Sequence, residues 1–292
     1  MPTNVKIDFL VAGFSKCGTT TLCAALSRHP DIFIPVIKEP RYFSSTDFEN
    51  GHDVYDQLFE PANPGQKKGE GSPSYSSALR EDDSIARIRD NNPDCRFIFI
   101  ARHPKRRIES SYREMHHSGV RFGLNAPFEL SQCVSEYPQM LNDSLFYSRI
   151  EKYINTFGRE SVRIVFLEDL SANLRGELKG CFEHIGVDPT RTPEFEDMRL
   201  NSGSQKLYDT QLMRYLRGNR VLGPRVAKIT PAAQDKLFSR LQLRKPFKGA
   251  PIVWDEKALA VYREQVVPEA HKFLELCDKP PEFWQLDSQD SA

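Results

Sequence analysis

Three short runs stand out from an otherwise polar chain. Ile7 to Ala12, Phe97 to Ala101 and Val162 to Leu167 are predominantly apolar and rich in β-formers, broken only by Asp8 and Arg163, the pattern of strands buried in a parallel sheet. A helical spacing of apolar positions follows each, over Thr19 to Ser27, Lys105 to His116 and Leu174 to Ile185. Leu145 to Phe157 repeats that spacing. Asp255 to Leu276 reads as an amphipathic helix ending before Pro280 and Pro281. Strands alternating with helices predict an α/β fold with a central parallel sheet and right-handed crossovers. Phe43 to Ser84, rich in Gly, Pro, Ser and Asp, reads as long surface connections, and so does Ser118 to Ala126. Residues 219–251 are basic and broken by proline, and they carry no assignable pattern. No repeat, low-complexity block or domain boundary interrupts the chain, so a single domain over 1–292 is expected.

Composition narrows the classes. A chain of 292 residues can bury about 75% of its extended surface. Forty basic residues balance forty acidic ones, so no global field draws the protein to nucleic acid or to a membrane, and any anion site has to be local. No run approaches the roughly 18 apolar residues of a membrane span, and no signal-peptide pattern opens the chain. A cytoplasmic protein is the expectation. The six cysteines are scattered, without a Cys-x-x-Cys pair or a histidine at metal spacing. They read as small buried hydrophobes, and no metal site is expected.

The candidate chemistry begins at the end of the first strand, in "FLVAGFSKCGTTTL". Gly13 and Gly18 have the spacing of a nucleotide triphosphate loop, but Thr19, not lysine, follows the second glycine. The lysine stands two residues earlier, at Lys16. A glycine turn feeding a helix start aims backbone N–H groups and the positive end of the helix dipole at one point. Thr19, Thr20 and Thr21 add hydroxyl donors, and Ser15 lies in the turn. Cys17 occupies a position that needs a small residue, which is a better account of it than a nucleophile. A plain β–α turn would look similar.

A second constellation favours the anion reading. "FIFIARHPKRRIESSYREM" is a buried strand that ends in Arg102 and leads into a helix carrying Arg107 and Ser110. Arg102 leaves the carboxyl end of its strand, the edge where open α/β sheets bind ligands. A guanidinium there suits forked phosphate contacts. Lys105 and Arg106 read as a solvated helix face. Two anion sites at neighbouring strand ends suggest a ligand with two separated phosphates.

These stretches resemble a known family. "GFSKCGTTTL" is similar to the 5′-phosphosulfate loop, and "ARHPKRRIESSY" to the 3′-phosphate motif, of sulfotransferases that use 3′-phosphoadenosine 5′-phosphosulfate (PAPS). "KEPRYFS" (Lys38 to Ser44), "GEGSPSY" (Gly69 to Tyr75), "VFLEDL" (Val165 to Leu170) and Trp284 match further family segments, so the likeness runs from Asp8 to Trp284. It is nearest the bacterial and heparan-type branch. The resemblance implies a P-loop-like sulfotransferase fold in which Lys16 stabilises the leaving phosphate and Ser15, Cys17, Gly18, Thr19, Thr20 and Thr21 line the cradle. It implies that Arg102 and Ser110 bind the 3′-phosphate. "NSGSQK", with Ser202 and Lys206, resembles the late loop over the cofactor. Glu39 falls where the heparan-type branch places its catalytic glutamate, although by itself it reads as a salt-bridge partner of Lys38 or Arg41. His116 and His117 are the alternative bases, with simple solvation the plainer reading of both.

The expected reaction is in-line transfer of a sulfuryl group from PAPS to a hydroxyl or amine, leaving 3′-phosphoadenosine 5′-phosphate (PAP). A metal ion is not obligatory, because the transferred group carries less charge than a phosphoryl. The expected partner is a small-molecule or glycan acceptor, not nucleic acid. One position departs from the pattern: heparan-type enzymes often carry lysine where this chain has Gly71, which weakens the case for a polyanionic sugar. Two other classes stay open: a P-loop kinase, which would share the fold although Gly18-Thr19 lacks its adjacent lysine, and a non-catalytic nucleotide-binding protein. Oligomeric state has no signature in the sequence.

Overall fold

The structure, a computed structural model, describes residues 3–37, 39–191, 206–247 and 252–286. Its elements gather into two compact units. The first draws on Met1–Pro104, Asn142–Asn201 and Gln265–Ala292, the second on Lys105–Leu141 and Ser202–Glu264.

The first unit is built on a parallel sheet. β1 (Phe9–Gly13) is followed by α1 (Thr19–Leu26), β2 (Ile32–Phe33), α2 (His52–Gln57), β3 (Lys67–Glu70), α3 (Glu81–Asn91) and β4 (Arg96–Ala101). After α4 (Pro104–His117), α5 (Leu130–Glu136) and α6 (Gln139–Asn142), the chain returns to the sheet with α7 (Phe146–Phe157), β5 (Val162–Phe166), α8 (Leu167–Ala172) and α9 (Leu174–Ile185). The strand order is β2-β3-β1-β4-β5 with every pairing parallel. All five residues of β1 are buried, as are Phe97 to Ala101 of β4, which is why these two runs are apolar without alternation. From β1 the chain turns toward β2 and β3, and from β4 toward β5. The carboxyl ends of β1 and β4 therefore meet at the switch point of the sheet, the place where open α/β folds hold ligands.

The stretch from Phe43 to Ser84 corrects the reading of it as surface connection. It contains α2, β3 and the start of α3, and its aromatic residues form a local core. Tyr42 stacks on Tyr55 at 4.3 Å between ring centroids, and Phe43 meets Tyr75 edge-on at 5.6 Å. Gly, Pro and Ser set the chain reversals while Phe43, Tyr55, Phe59 and Tyr75 are buried. β3 escapes a hydrophobicity reading because it begins Lys67-Lys68. Lys67 Nζ pairs with Asp8 Oδ1 at 2.9 Å and the Lys68 N–H donates to Asp8 Oδ2 at 2.9 Å. Gly69 is required beside β1, since an added Cβ would collide with the Phe9 ring.

The second unit carries most of α4, with α5 and most of α6, and then a later excursion. There β6 (Leu207–Asp209) and β7 (Arg244–Pro246) pair antiparallel around α10 (Gln211–Gly218), α11 (Leu222–Ala227) and α12 (Pro231–Arg240), followed by α13 (Glu256–Val261). These helices give structure to the basic stretch that has no pattern in sequence. Between α4 and α5 the chain is not simply surface loop, because Val120 and Ala126 are buried. The tail helix is two helices: α13, capped by Asp255 Oδ1 accepting from the Lys257 and Ala258 N–H groups at 3.0 Å, and α14 (Val267–Leu276). A π-turn over Tyr262–Val266 joins them just before Pro268, which has no N–H to continue the α ladder. Among the described residues no helix is long and apolar enough to cross a membrane.

Candidate active site

The loop after β1 is held from beneath. The Phe14 N–H donates to Ile100 O at 2.9 Å, and the Phe14 ring packs on Phe146 at 4.4 Å and Phe99 at 5.5 Å. With its first residue fixed in the core, the loop turns sharply. Lys16 adopts φ 67° and Gly18 φ 103°. A left-handed lysine costs about 1–3 kcal/mol and is characteristic of functional turns. Gly18 is the N-cap of α1, no side chain caps that helix, and its first turn has no acidic residue. The first-turn N–H groups have no intrahelical acceptor by geometry. With Thr20 exposed and Ser15, Lys16 and Gly18 half-buried, the surface there is one of donors and positive charge. Thr19 and Thr21 are buried in the same turn. The Cys17 side chain is buried and its N–H donates to Phe14 O at 3.2 Å. The small-residue account of that position fits this placement.

Two of the sequence segments dock beside this strand. Arg41, at φ 57°, donates its N–H to Ser72 Oγ at 3.0 Å, and Ser44 Oγ lies 2.7 Å from Ser74 Oγ. Ser76 Oγ in turn donates to Ala12 O at 2.8 Å, so "KEPRYFS", "GEGSPSY" and the end of β1 form one connected assembly. At its base the Tyr75 hydroxyl donates to the fully buried Glu70 at 2.5 Å, and burial with the Glu70 charge drives the Tyr75 phenol far above its ordinary pKa. Ser76 is a contact that sequence reasoning missed; its only signal is a serine one residue past the motif. Gly13 is needed for the same approach, because a Cβ there would collide with Ser76 Oγ. Glu39 is partly exposed and accepts from Arg41 Nη2 at 3.0 Å, so the ion pair read from sequence is present. Lys38 lies outside the described residues.

Arg102 follows β4 immediately and is half-buried. The next N–H, of His103, donates to Glu168 Oε1 at 2.9 Å, which ties the strand end to the "VFLEDL" segment. Farther on, in the helical unit, Ser110 is half-buried on α4. Arg107 is buried and donates from Nη1 to Met140 O at 2.8 Å, a structural post. Arg106 is exposed as expected, whereas Lys105 lies over the Trp254 ring at 5.5 Å. Lys206 pairs with Glu114 at 2.8 Å, and Ser202 lies outside the described residues.

The histidines correct the expectation of simple solvation. His116 is fully buried, its Nδ1 accepts from Arg214 Nη2 at 2.6 Å, and its ring stacks on Phe128 at 5.1 Å. Burial first, then the Arg214 charge, pushes its pKa down to about 4. His117 Nδ1 accepts from the Leu207 N–H at 3.1 Å, and burial with the Arg244 charge lowers its pKa as well. His116 is packed against Arg214 and Phe128, and His117 is tied to the start of β6 at Leu207.

The family model for the sulfotransferase domain matches residues 6–217. Among solved structures, a sulfotransferase from Alicyclobacillus acidocaldarius superposes with a TM-score of 0.61 at 19% identity, over 96% of this chain and 99% of that one. A sulfotransferase domain from the curacin biosynthetic pathway covers 90% of this chain and 97% of its own, at 16% identity and a TM-score of 0.49. A mouse sulfotransferase complexed with PAP matches over 64% of this chain and 60% of its own, with 16% identity and a TM-score of 0.45. No curated protein sequence matches the chain significantly.

Proposed function

The chain belongs to the sulfotransferase domain family, and from that premise we propose that it transfers a sulfuryl group from PAPS to a hydroxyl or amine of a small-molecule or glycan acceptor in the cytoplasm. The observation that carries this reading is the loop after β1. Lys16 is strained into a left-handed turn beside a helix start with no side-chain cap and no acidic residue. Such a surface suits the 5′-phosphate of the donor, with Ser15, Gly18, Thr19, Thr20 and Thr21 supplying N–H and hydroxyl donors. Arg102, at the neighbouring strand end, is assigned to the 3′-phosphate. On the strength of their motifs alone, Ser110 is assigned to the same phosphate and Lys206 to the loop over the cofactor.

When bound, PAPS supplies an activated sulfuryl group on a phosphate leaving group. The chain does the rest. Lys16 neutralises charge that develops on the bridging oxygen and phosphate, and this preorganised stabilisation is the largest expected catalytic term. Glu39 accepts the acceptor's proton as attack proceeds, and release from Arg41 makes its carboxylate available. Positioning does what a kinase achieves with lysine and magnesium together. That lysine does not sit next to the second glycine argues against a nucleoside triphosphate kinase. Gly71, where the heparan-type branch often has lysine, argues for an acceptor that is not a polyanion.

The test uses the free protein without magnesium. PAP should raise its melting temperature, and adenosine 5′-phosphate should do so much less, because it leaves the Arg102 site unfilled. Equal shifts would remove the two-phosphate reading. Labelled sulfate moving from PAPS to members of an acceptor panel would establish the activity, and absence of transfer to every acceptor class would count against it.

A further inference from the structure

The excursion between β6 and β7 uses its charge differently from the rest of the chain. Residues 211–247 carry nine Lys and Arg against one acid, Asp235, a net of +8 in a protein whose total is zero. Asp235 is already taken by Arg121 and Arg244. Six of the nine cations, Arg220, Arg225, Lys228, Lys236, Arg240 and Lys245, are exposed and have no ion-pair partner among the described residues. Charge at this density opposes its own folding and is retained where an anionic surface offsets it.

The same helices turn apolar side chains outward. α10 buries Met213 and exposes Leu212 and Tyr215; α12 buries Gln234 and Phe238 and exposes Leu237 and, one residue past its end, Leu241. Val221 and Leu222, at the start of α11, are exposed too, and α11 buries no residue at all. In the sheet unit, which is the larger, only Val36, Ile37, Val54 and Leu79 are exposed large hydrophobics among the described residues. Cations alone would suit any polyanion. Cations interleaved with Leu, Val and Tyr on short helices suit an interface whose headgroups are anionic and whose next layer is apolar.

We infer that the surface of α10, α11 and α12 is a docking site for an anionic lipid bilayer, holding the protein at a membrane surface without spanning it. Arg220, Arg225, Lys228, Lys236 and Arg240 meet the headgroups, and Leu212, Tyr215, Leu237 and Leu241 enter the acyl boundary.

The experiment is co-sedimentation of the full-length protein with vesicles of phosphatidylcholine containing phosphatidylserine, and with phosphatidylcholine alone. No donor or acceptor enters this assay, so its outcome is separate from that of the sulfuryl-transfer reading. Binding is expected only to the anionic vesicles, weakening as salt is raised. Arg220→Glu, Arg225→Glu and Lys228→Glu together should lower partitioning about 100-fold or more, taking each cation near a charged surface as worth about a factor of five. Leu212→Ser, Tyr215→Ser and Leu237→Ser together should lower it about tenfold, since the apolar contribution scales with buried area. Every position changed is exposed, and an unshifted melting temperature verifies each variant. Glutamine at the three cationic positions repeats the charge test with less disturbance. No uptake by anionic vesicles at low salt overturns the proposal. So does unchanged binding of the apolar variant combined with capture on heparin beads, which would make this a polyanion surface.

Discussion

Phe99 in β4 and Arg244 in β7 are both fully buried, yet they hold their units together in opposite ways. In the sheet unit burial is apolar and aromatic: Phe14, Phe146, Phe273 and Trp284 form one cluster, with Phe273 and Trp284 stacked at 5.9 Å. Its buried charges are few, chiefly Glu70 on Tyr75 and Glu81 shared by Arg149 and Lys152. In the helical unit the centre is ionic. Arg244 Nε lies 2.9 Å from Asp209 Oδ1, Arg217 Nε lies 2.5 Å from Asp209 Oδ2, and Arg244 also reaches Asp235. The helical unit does bury apolar residues, Ile108, Leu130 and Met213 among them, but its β6–β7 end is pinned by ion pairs. It fixes its chain by charge pairs and leaves apolar side chains outside. The lesson is a division of roles: an apolar sheet supplies a rigid floor for the loop carrying the proposed chemistry, while an arginine network holds a unit whose outer surface is left for other uses.

The sharpest way to break this division is to alter the loop. Glu39→Gln preserves size and hydrogen-bonding shape, so its rate on an alcohol acceptor should fall by about 10²–10⁴-fold with PAP binding intact. Lys16→Ala should lose about 10²-fold or more in turnover while its melting temperature holds, since a turn lysine contributes little packing. Near-normal turnover in Glu39→Gln, measured at saturating PAPS, would exclude that residue as base.

The converse experiment removes the ionic centre. Arg244→Leu leaves Asp209 buried with one cation fewer, and uncompensated buried charge costs about 3–5 kcal/mol. Denaturant unfolding should show a loss of that size. A loss under about 1 kcal/mol would mean that the helical unit does not depend on the network.

A smaller effect tests the strand end. Arg102→Ala should weaken PAP binding by about 2–3 kcal/mol, the range for hydrogen bonds to a charged group, and reduce turnover at saturating donor by less. Calorimetric titration giving unchanged affinity in a folded variant would make Arg102 structural.

The smallest effect compares the units through one histidine each. His116 in the helical unit and His184 in the sheet unit both have pKa values lowered to about 4, by burial and then by Arg214 or Arg96 respectively. Because the folded values lie below the unfolded one of about 6.5, the unfolded chain binds more protons between them. Their stabilisation is present above pH about 6.5 and is lost as pH falls toward about 4. His184→Gln should therefore flatten part of the acid-side decline in melting temperature, and an unaltered slope would show that His184 titrates normally.

Much of the sheet unit is legible in the chain. β1 and β4 are central and buried along nearly their whole length, so their sequences are apolar almost without a break, and β5, at the sheet edge, keeps enough apolar residues around Arg163 to be read as a strand. A glycine turn before a threonine-rich helix start can be read from local backbone preferences. The proposed roles of Lys16 and Arg102 rest on sequence position, one in the turn after β1 and the other directly after β4. β2 and β3 were not legible, since an edge strand of two residues and one beginning Lys67-Lys68 have no hydrophobic period. What only the tertiary structure decided are pairings between distant residues: Ser76 on Ala12, Arg41 on Ser72, Arg107 on Met140, and His116 buried against Arg214. A polar side chain has the same sequence signature whether it faces water or a buried partner. Its burial depends on a desolvation cost offset by one specific contact, and that contact exists only once the chain has folded.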